Sequence, residues 1–165
     1  MQIRSERASD IGAIHRINQE AFGTDAEARI VHSVRSQARP VISLVADDGG
    51  ALVGHILFSP VTLERTSALV MGLAPMSVVQ SRQRQGIGST LVKEGLAACR
   101  VLGAVGVVVI GHPEFYPRFG FLPGSRLGLK VEFEVPDEAF MALELVEHAL
   151  RPHGLVRYHA AFSEG

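Results

Sequence analysis

The residues of this chain best suited to chemistry are Gln83-Arg84-Gln85-Gly86-Ile87-Gly88, which stand between an extended apolar segment and one with helical periodicity. A helix start leaves its first N–H groups without partners inside the helix. The aligned peptide dipoles also give that end a partial positive charge. Glycine has no Cβ, so a phosphate can approach such a backbone closely. The dipole contributes about 0.3–1 kcal/mol at an exposed helix end and more where solvent is excluded. Several N–H groups acting together therefore hold a diphosphate without a dedicated lysine. Two other phosphate-binding patterns do not fit. A P-loop needs Gly-Lys followed by Ser or Thr, which the chain lacks. A dinucleotide fingerprint needs a third Gly or Ala where Leu91 stands, and an acid in the following strand. The two glycines also suit a bare strand-to-helix turn, and spacing alone leaves both readings open.

Other reactive side chains are sparse. Arg82 and Arg84 carry guanidinium groups that match phosphate geometry, although each also reads as a solvated loop charge. The single cysteine, Cys99, falls on the apolar side of a helix and reads as a packed thiol rather than a nucleophile. No Ser-His-Asp or Cys-His arrangement stands out, so no covalent enzyme intermediate is required. The chain has seven histidines, none at a metal-ligand spacing. His148 and His153 are five apart and not on one helical face, so no metal is expected.

The elements around the loop follow from periodicity and turn chemistry. Residues 2–6 alternate as a short strand. Ser9-Asp10 is placed to cap a helix in which Ile11, Ile14, Ile17 and Ala21 recur every three to four residues. Thr24 and Glu27 have capping-box spacing ahead of a second helix burying Ile30, Val31 and Val34. That helix must stop before Pro40. Residues 41–46 and 52–63 read as two strands joined by a turn at Asp48-Gly49-Gly50, and residues 67–79 as a third, completing an antiparallel meander. Residues 86–102 carry a helical stripe at Ile87, Leu91, Gly95, Ala98, Cys99 and Leu102. Residues 105–110 have no polar face, which fits a strand covered on both sides. Pro75 has no N–H to donate, which fits either a ladder interrupted near it in the third long strand or a simple edge or bulge position. Residues 140–146 are ambiguous between strand and helix, and 154–160 read as a strand. The fold class is α+β, a mixed and mostly antiparallel sheet with helices on both faces.

Composition excludes several functions. At 165 residues, 47% apolar and 20% charged, the chain is long enough for one domain, taken as residues 1–165. A formal net charge of -1 gives no global attraction for nucleic acid or an anionic membrane, and neither is expected as a partner. The longest apolar run is too short to span a bilayer. The first residues do not resemble a signal peptide, and one cysteine allows no intrachain disulfide, so the cytoplasm is the expected location.

Three segments together resemble the GNAT family of N-acetyltransferases. Gln-x-x-Gly-x-Gly at residues 83–88 is similar to the family's acyl-coenzyme A loop. Leu73-Ala74-Pro75-Met76-Ser77-Val78-Val79 resembles its central strand, and Glu114-Phe115-Tyr116-Pro117-Arg118-Phe119-Gly120-Phe121 resembles its Tyr-x-x-Phe/Leu-Gly-Phe hallmark. The resemblance covers residues 1 to about 121 and fades beyond. It departs from the family at Gln80-Ser81, where a proline and an acid are common, and at Ser77, where a small apolar residue is common.

The resemblance implies acetyl-CoA as co-substrate and direct transfer to a primary amine, on a small molecule or a protein, by a monomer or homodimer. Met76, Ser77 and Val78 would contact the pantetheine arm in a gap between splayed strands. Arg84, Gln85, Gly86, Ile87, Gly88 and Ser89 would hold the phosphates. Tyr116 would sit near the sulfur as acid, or be one more aromatic in its cluster. The base is open among Glu114, His112, His55 and, more weakly, Glu20, with water as a further route. The acceptor would be bound by the first two helices, the loop that follows them and the C-terminal segment. An inactive acyl-CoA sensor is the alternative function.

Overall fold

The computed structural model of the chain describes residues 1–151 and 154–163; His153 lies outside them. Strands β1 (Gln2–Ser5), β2 (Ile42–Asp48), β3 (Ala51–Leu63) and β4 (Val70–Val78) form the antiparallel meander. The β2–β3 hairpin turns at Gly49 and Gly50, whose φ of 63° and 96° explains the glycines. Helix α3 (Ile87–Leu102) carries the chain from β4 to β5 (Gly106–Ile110), which pairs with β4 in parallel. Two later segments extend the sheet, β6 (Leu122–Pro123) and β8 (Phe140–Glu144), in the order β1-β2-β3-β4-β5-β8-β6. The short strands β7 (Leu129–Val131) and β9 (Gly154–Arg157) pair with each other in parallel, and β9 also joins the far end of β3.

Helices cover both faces. Helices α1 (Ile11–Phe22) and α2 (Ala26–Gln37) bury Ile14, Val31 and Val34 against Val45 and Leu57. On the other face, Leu91, Val92 and Leu96 of α3 meet Ile56, Phe58, Met71 and Leu73. The period of two along β3 sends Leu57 to one layer and its neighbours to the other. In β5, Val107 and Val109 join the α3 layer, while Val108 packs with Val70, Phe140 and Leu150. That two-sided burial is why residues 105–110 lack a polar face.

Several local expectations are corrected. Asp10 does not cap α1 with its side chain. Its carboxylate accepts instead from Arg4 at 2.8 and 3.1 Å and from the Arg7 N–H at 2.7 Å, because a buried acid pairs with the cation beside it. The α2 start is held by Thr24 Oγ1, which accepts from the Ala26 N–H at 3.3 Å. Ala21 is exposed. The buried stripe of α3 runs through Val92 and Leu96, and Leu102 is left exposed at the rim. Residues 140–144 are a strand because β5 presents a free edge to them.

The feature that shapes the site lies in β4. Its register with β3 passes from Ile56↔Met76 to Phe58↔Leu73, so Leu57 faces two residues, Ala74 and Pro75. Pairing between β4 and β5 runs from Val70↔Gly106 to Leu73↔Val109 and then stops. The interruption expected at Pro75 is a bulge on one side and the end of a ladder on the other.

Gly95 brings α3 onto the sheet: a Cβ there would lie 2.2 Å from Phe58 Cε1 and 2.5 Å from Cζ. Alanine gains about 1 kcal/mol of helix propensity over glycine, but overpacking a filled core costs about 1–3 kcal/mol. The Phe58 ring is fully buried, so Gly95→Ala is expected to lower the unfolding free energy, by up to about 2 kcal/mol. Urea denaturation followed by circular dichroism measures this, and a stabilised variant would show that α3 lifts freely from β3.

Candidate active site

Where β4 and β5 part, a cleft of about 1170 Å³ opens. One wall is the free stretch of β4, with Met76, Ser77 and Val78; the loop residues Arg84, Gly86, Ile87, Gly88 and Ser89 line another side, and Tyr116 a third. Of the residues expected to hold the coenzyme, Gln85 alone lies outside the lining. Its side chain accepts from Arg82 Nε at 3.1 Å and donates to the Ser81 carbonyl at 3.4 Å.

The direction of the β4 peptide groups follows from one bond. The Val79 N–H donates to the Val53 carbonyl of β3 at 2.9 Å. Alternation along an antiparallel strand turns Ser77 the same way, and turns Met76 and Val78 toward the side that β5 has left. Gln83 Nε2 donates to the Val78 carbonyl at 3.1 Å from that side. The Met76 peptide and the Val78 N–H thus face the gap as an unpaired strand edge.

At the loop the two glycines have different reasons. Gly86 has φ of 84° and caps α3, a conformation that favours glycine; here the turn reading holds. Gly88 needs no positive φ, and a Cβ on it would meet Met76 and Phe115 only at ordinary distances of 3.5–3.8 Å. Internal packing therefore leaves Gly88 unexplained, while close approach of a ligand explains it. The first bond inside α3 runs from the Thr90 N–H to the Gly86 carbonyl at 3.0 Å. The N–H groups of Ile87, Gly88 and Ser89 are thereby left for another acceptor. Arg82 is committed to Asp48 at 2.7 Å, which pins the loop to the β2–β3 hairpin. Arg84, exposed and with φ of 63°, and Arg118, exposed and 5.3 Å from the Phe115 ring, are the guanidinium groups left at the cleft.

Tyr116 begins a 3-10 turn closed by Gly120, whose φ is 96°. Its ring contacts Phe115 at 5.0 Å and Phe121 at 5.7 Å, edge to face. Burial pushes its phenol up to about 12. His112 and Glu114 line the cleft nearby, exposed. Glu20 lines a separate shallow depression instead. Cys99 is fully buried, and burial pushes its thiol up to about 12, as a packing residue requires. Among the described residues no three His, Cys, Asp or Glu side chains gather to hold a metal.

His55 is buried behind the cleft wall, in a chain of hydrogen bonds that sequence reasoning did not foresee. Ser77 Oγ donates to Asn18 Oδ1 at 3.0 Å. Asn18 Nδ2 donates to the Ile14 carbonyl at 3.1 Å and lies 3.2 Å from His55 Nδ1. His55 Nε2 lies 2.9 Å from Ser43 Oγ, which donates to Glu6. Glu6 in turn accepts from Arg35 at 2.6 and 3.0 Å. With Asn18 donating, Nδ1 of His55 must accept and Nε2 must carry the proton, so every member is satisfied in one direction. Burial works against the Glu6 charge, but the bonds from Arg35 and Ser43 outweigh it and hold the carboxyl below its usual range. The chain explains the departure at Ser77: the hydroxyl ties the free part of β4 to α1.

The C-terminal segment also reaches the cleft with Phe133, Tyr158 and Phe162. The Tyr158 hydroxyl is buried and has no partner among the described residues. No spacing in the sequence marks these three, because they come from separate short segments on either side of β9, Phe162 from a 3-10 turn at Ala160–Ser163. Among the described residues no helix is long and apolar enough to cross a membrane.

Comparison with known proteins agrees with this geometry. The family model described as an acetyltransferase (GNAT) domain matches residues 40–123, half of the chain. The uncharacterized N-acetyltransferase YhbS of Escherichia coli K12 is 35% identical over 165 residues, covering 99% of both chains. YjhQ of the same organism is 38% identical over 135 residues, 79% of this chain and 75% of that one. The crystal structure of E. coli YhbS in complex with CoA superposes with a TM-score of 0.92, at 34% identity over 98% of this chain and 91% of that one. A GNAT acetyltransferase from Brucella melitensis in complex with acetyl-CoA gives 0.82, at 36% identity over 98% and 97%. This chain belongs to the GNAT family of N-acetyltransferases.

Burial pushes His55 down to about 4, with the Glu6 charge opposing it only in part. The folded state therefore keeps His55 neutral where the unfolded chain, near 6.5, binds a proton. The resulting stability is complete above about pH 6.5 and is lost as pH falls toward 4. Between pH 7 and pH 5 the loss due to His55 is about 2 kcal/mol. Urea titrations at the two pH values should show the parent losing that much more than His55→Gln. Equal losses would mean that His55 is not held neutral.

Proposed function

We propose that this chain moves the acetyl group of acetyl-CoA to a primary amine by direct attack, with residues 1–165 acting as one catalytic domain in the cytoplasm. The observation that carries the reading is the meeting, in one cleft, of an unpaired strand edge at Met76 and Val78 with the unspent N–H groups of Ile87, Gly88 and Ser89. The pantetheine arm would add to that edge as a strand does, bonding to the Met76 peptide. The diphosphate would lie on the α3 N-terminus beside Arg84. The CoA and acetyl-CoA held by the E. coli and B. melitensis relatives support this assignment.

In the transfer the amine lone pair forms the C–N bond, the C–S bond breaks, and the nitrogen loses a proton. His112 and Glu114 are the titratable groups on the Tyr116 side of the cleft that can receive it, directly or through water. A phenol raised to about 12 stays neutral at pH 7. It is a weaker acid than an ordinary thiol near 8.5, so full proton transfer to the departing sulfur is unfavourable. Tyr116 thus acts as a hydrogen-bond donor to the charge building on sulfur. No observation favours an inactive acyl-CoA sensor.

Two substitutions separate binding from chemistry. Gly88→Glu puts a carboxylate where the diphosphate lies, and should abolish acetyl-CoA binding by calorimetry while circular dichroism stays that of the parent. Tyr116→Phe keeps the ring and removes one bond to a charged group, about 1.5–3 kcal/mol. It should lower kcat for thiol release about 10- to 100-fold while changing acetyl-CoA affinity by less than about 1 kcal/mol. Binding by Gly88→Glu at the parent's affinity would make the loop a turn only. An unchanged kcat would make Tyr116 a packing residue.

A further inference from the structure

The cleft has walls that the acetyl donor does not account for. The end of α1 contributes Phe22, the start of α2 contributes Glu27 and Ile30, and the C-terminal segment contributes Phe133, Tyr158 and Phe162. The three C-terminal rings form a continuous surface, with centroids 5.7 Å apart from Phe133 to Tyr158 and 5.4 Å from Tyr158 to Phe162. Tyr158 stacks on Gly72 of β4, where a Cβ would come within 2.9 Å of its ring, so the surface is fixed to the sheet. Glu27 is the single carboxylate of these walls. It is half-buried and has no ion-pair partner among the described residues.

A place in the first turn of α2 accounts for an acid at position 27. It does not account for that acid lining the same cleft as an aromatic wall without an ion-pair partner among the described residues, the cleft's guanidinium groups coming from the Gly86 loop and the Tyr116 turn. An ammonium group supplies the missing charge, and it is also attracted to aromatic faces. Low-dielectric walls strengthen its attraction to Glu27. The same carboxylate repels an acceptor that carries a carboxylate of its own. A polyamine would leave further ammonium groups against the rings without acids to meet them.

Resting on the acetyl-transfer reading above, we propose that the acceptor is a small primary amine with an apolar, aromatic body and no carboxylate. Glu27 receives its ammonium, and Phe133, Tyr158 and Phe162 receive its body. The ammonium first yields one proton to water. The amine nitrogen then bonds to the acetyl carbon, the C–S bond breaks, and the sulfur leaves as thiolate and is protonated. The nitrogen keeps one hydrogen in the amide, so the net products are amide, thiol and one proton.

Thiol release measured with the full chain and four acceptors tests this: 2-phenylethylamine, phenylalanine, spermidine and a lysine-containing peptide. The kcat/KM for 2-phenylethylamine should exceed the other three by about tenfold or more. Glu27→Gln should raise the KM for 2-phenylethylamine about tenfold, with kcat little changed, and narrow its margin over phenylalanine. Acetyl-CoA affinity should be that of the parent in this variant, which also establishes that it folds. Preference for any of the other three acceptors overturns the assignment, and so does a KM unmoved by Glu27→Gln. Acetyl-CoA binding with no turnover of 2-phenylethylamine overturns the acceptor class and leaves the donor reading intact. Failure to bind acetyl-CoA overturns both.

Discussion

A strand edge left unpaired inside a sheet is the constraint on which the rest of this structure depends. Pro75 has no N–H to give, Leu57 opposes two residues of β4 at once, and β5 stops following β4 after Leu73. Backbone polar groups are stable in a protein interior only when something bonds to them. The Met76 peptide and the Val78 N–H therefore need water or an extended ligand in the gap. The parallel crossover through α3 sets the N-terminus of that helix at the mouth of the same gap. One irregularity thus aligns two sets of unspent backbone groups, a strand edge and a helix end, which the proposed reading gives to the amide-bearing arm and the diphosphate.

An opening in a sheet weakens it, and the neighbouring elements offset that. Ser77 ties the free part of β4 to α1 through Asn18, and the chain continues through His55, Ser43 and Glu6 to Arg35 on α2. Each member has its partner, so the buried polar groups rigidify the wall rather than destabilise it. On the other face Gly95 lets Phe58 lie flat beneath α3. The loop is held from outside by Arg82 and Asp48 and from below by Gln83 on the Val78 carbonyl. These contacts pin the loop, with Gln80 and Ser81 standing where the family commonly has a proline and an acid.

Much of this was readable in the sequence, for physical reasons that can be named. The meander announced itself through Asp48-Gly49-Gly50, the buried strand through Val107, Val108 and Val109, and the interruption through Pro75. The loop glycines were ambiguous by spacing, and the structure divides them: Gly86 is needed for its φ, while neither φ nor packing requires a glycine at Gly88. What stayed hidden depends on tertiary contact. Nothing in the sequence sets Asn18 apart, and His55 is one of several possible bases there. Only the fold shows that they bond to each other, with His55 too buried to serve as a base. The strands β6 and β7 are two and three residues long, too short for any periodicity. The aromatic wall comes from separate short segments, and no pattern links Phe133 to Phe162.

Amide hydrogen exchange of the β4 segment, with and without acetyl-CoA, tests the central claim most directly. If the arm completes the open edge, the N–H groups of Met76 and Val78 exchange markedly more slowly in the complex. The Ser77 N–H, already turned toward β3, changes little. The first-turn N–H groups of Ile87, Gly88 and Ser89 should slow with them. Binding of acetyl-CoA that leaves Met76 and Val78 exchanging as before would contradict the account, because the ligand would then be held without the gap.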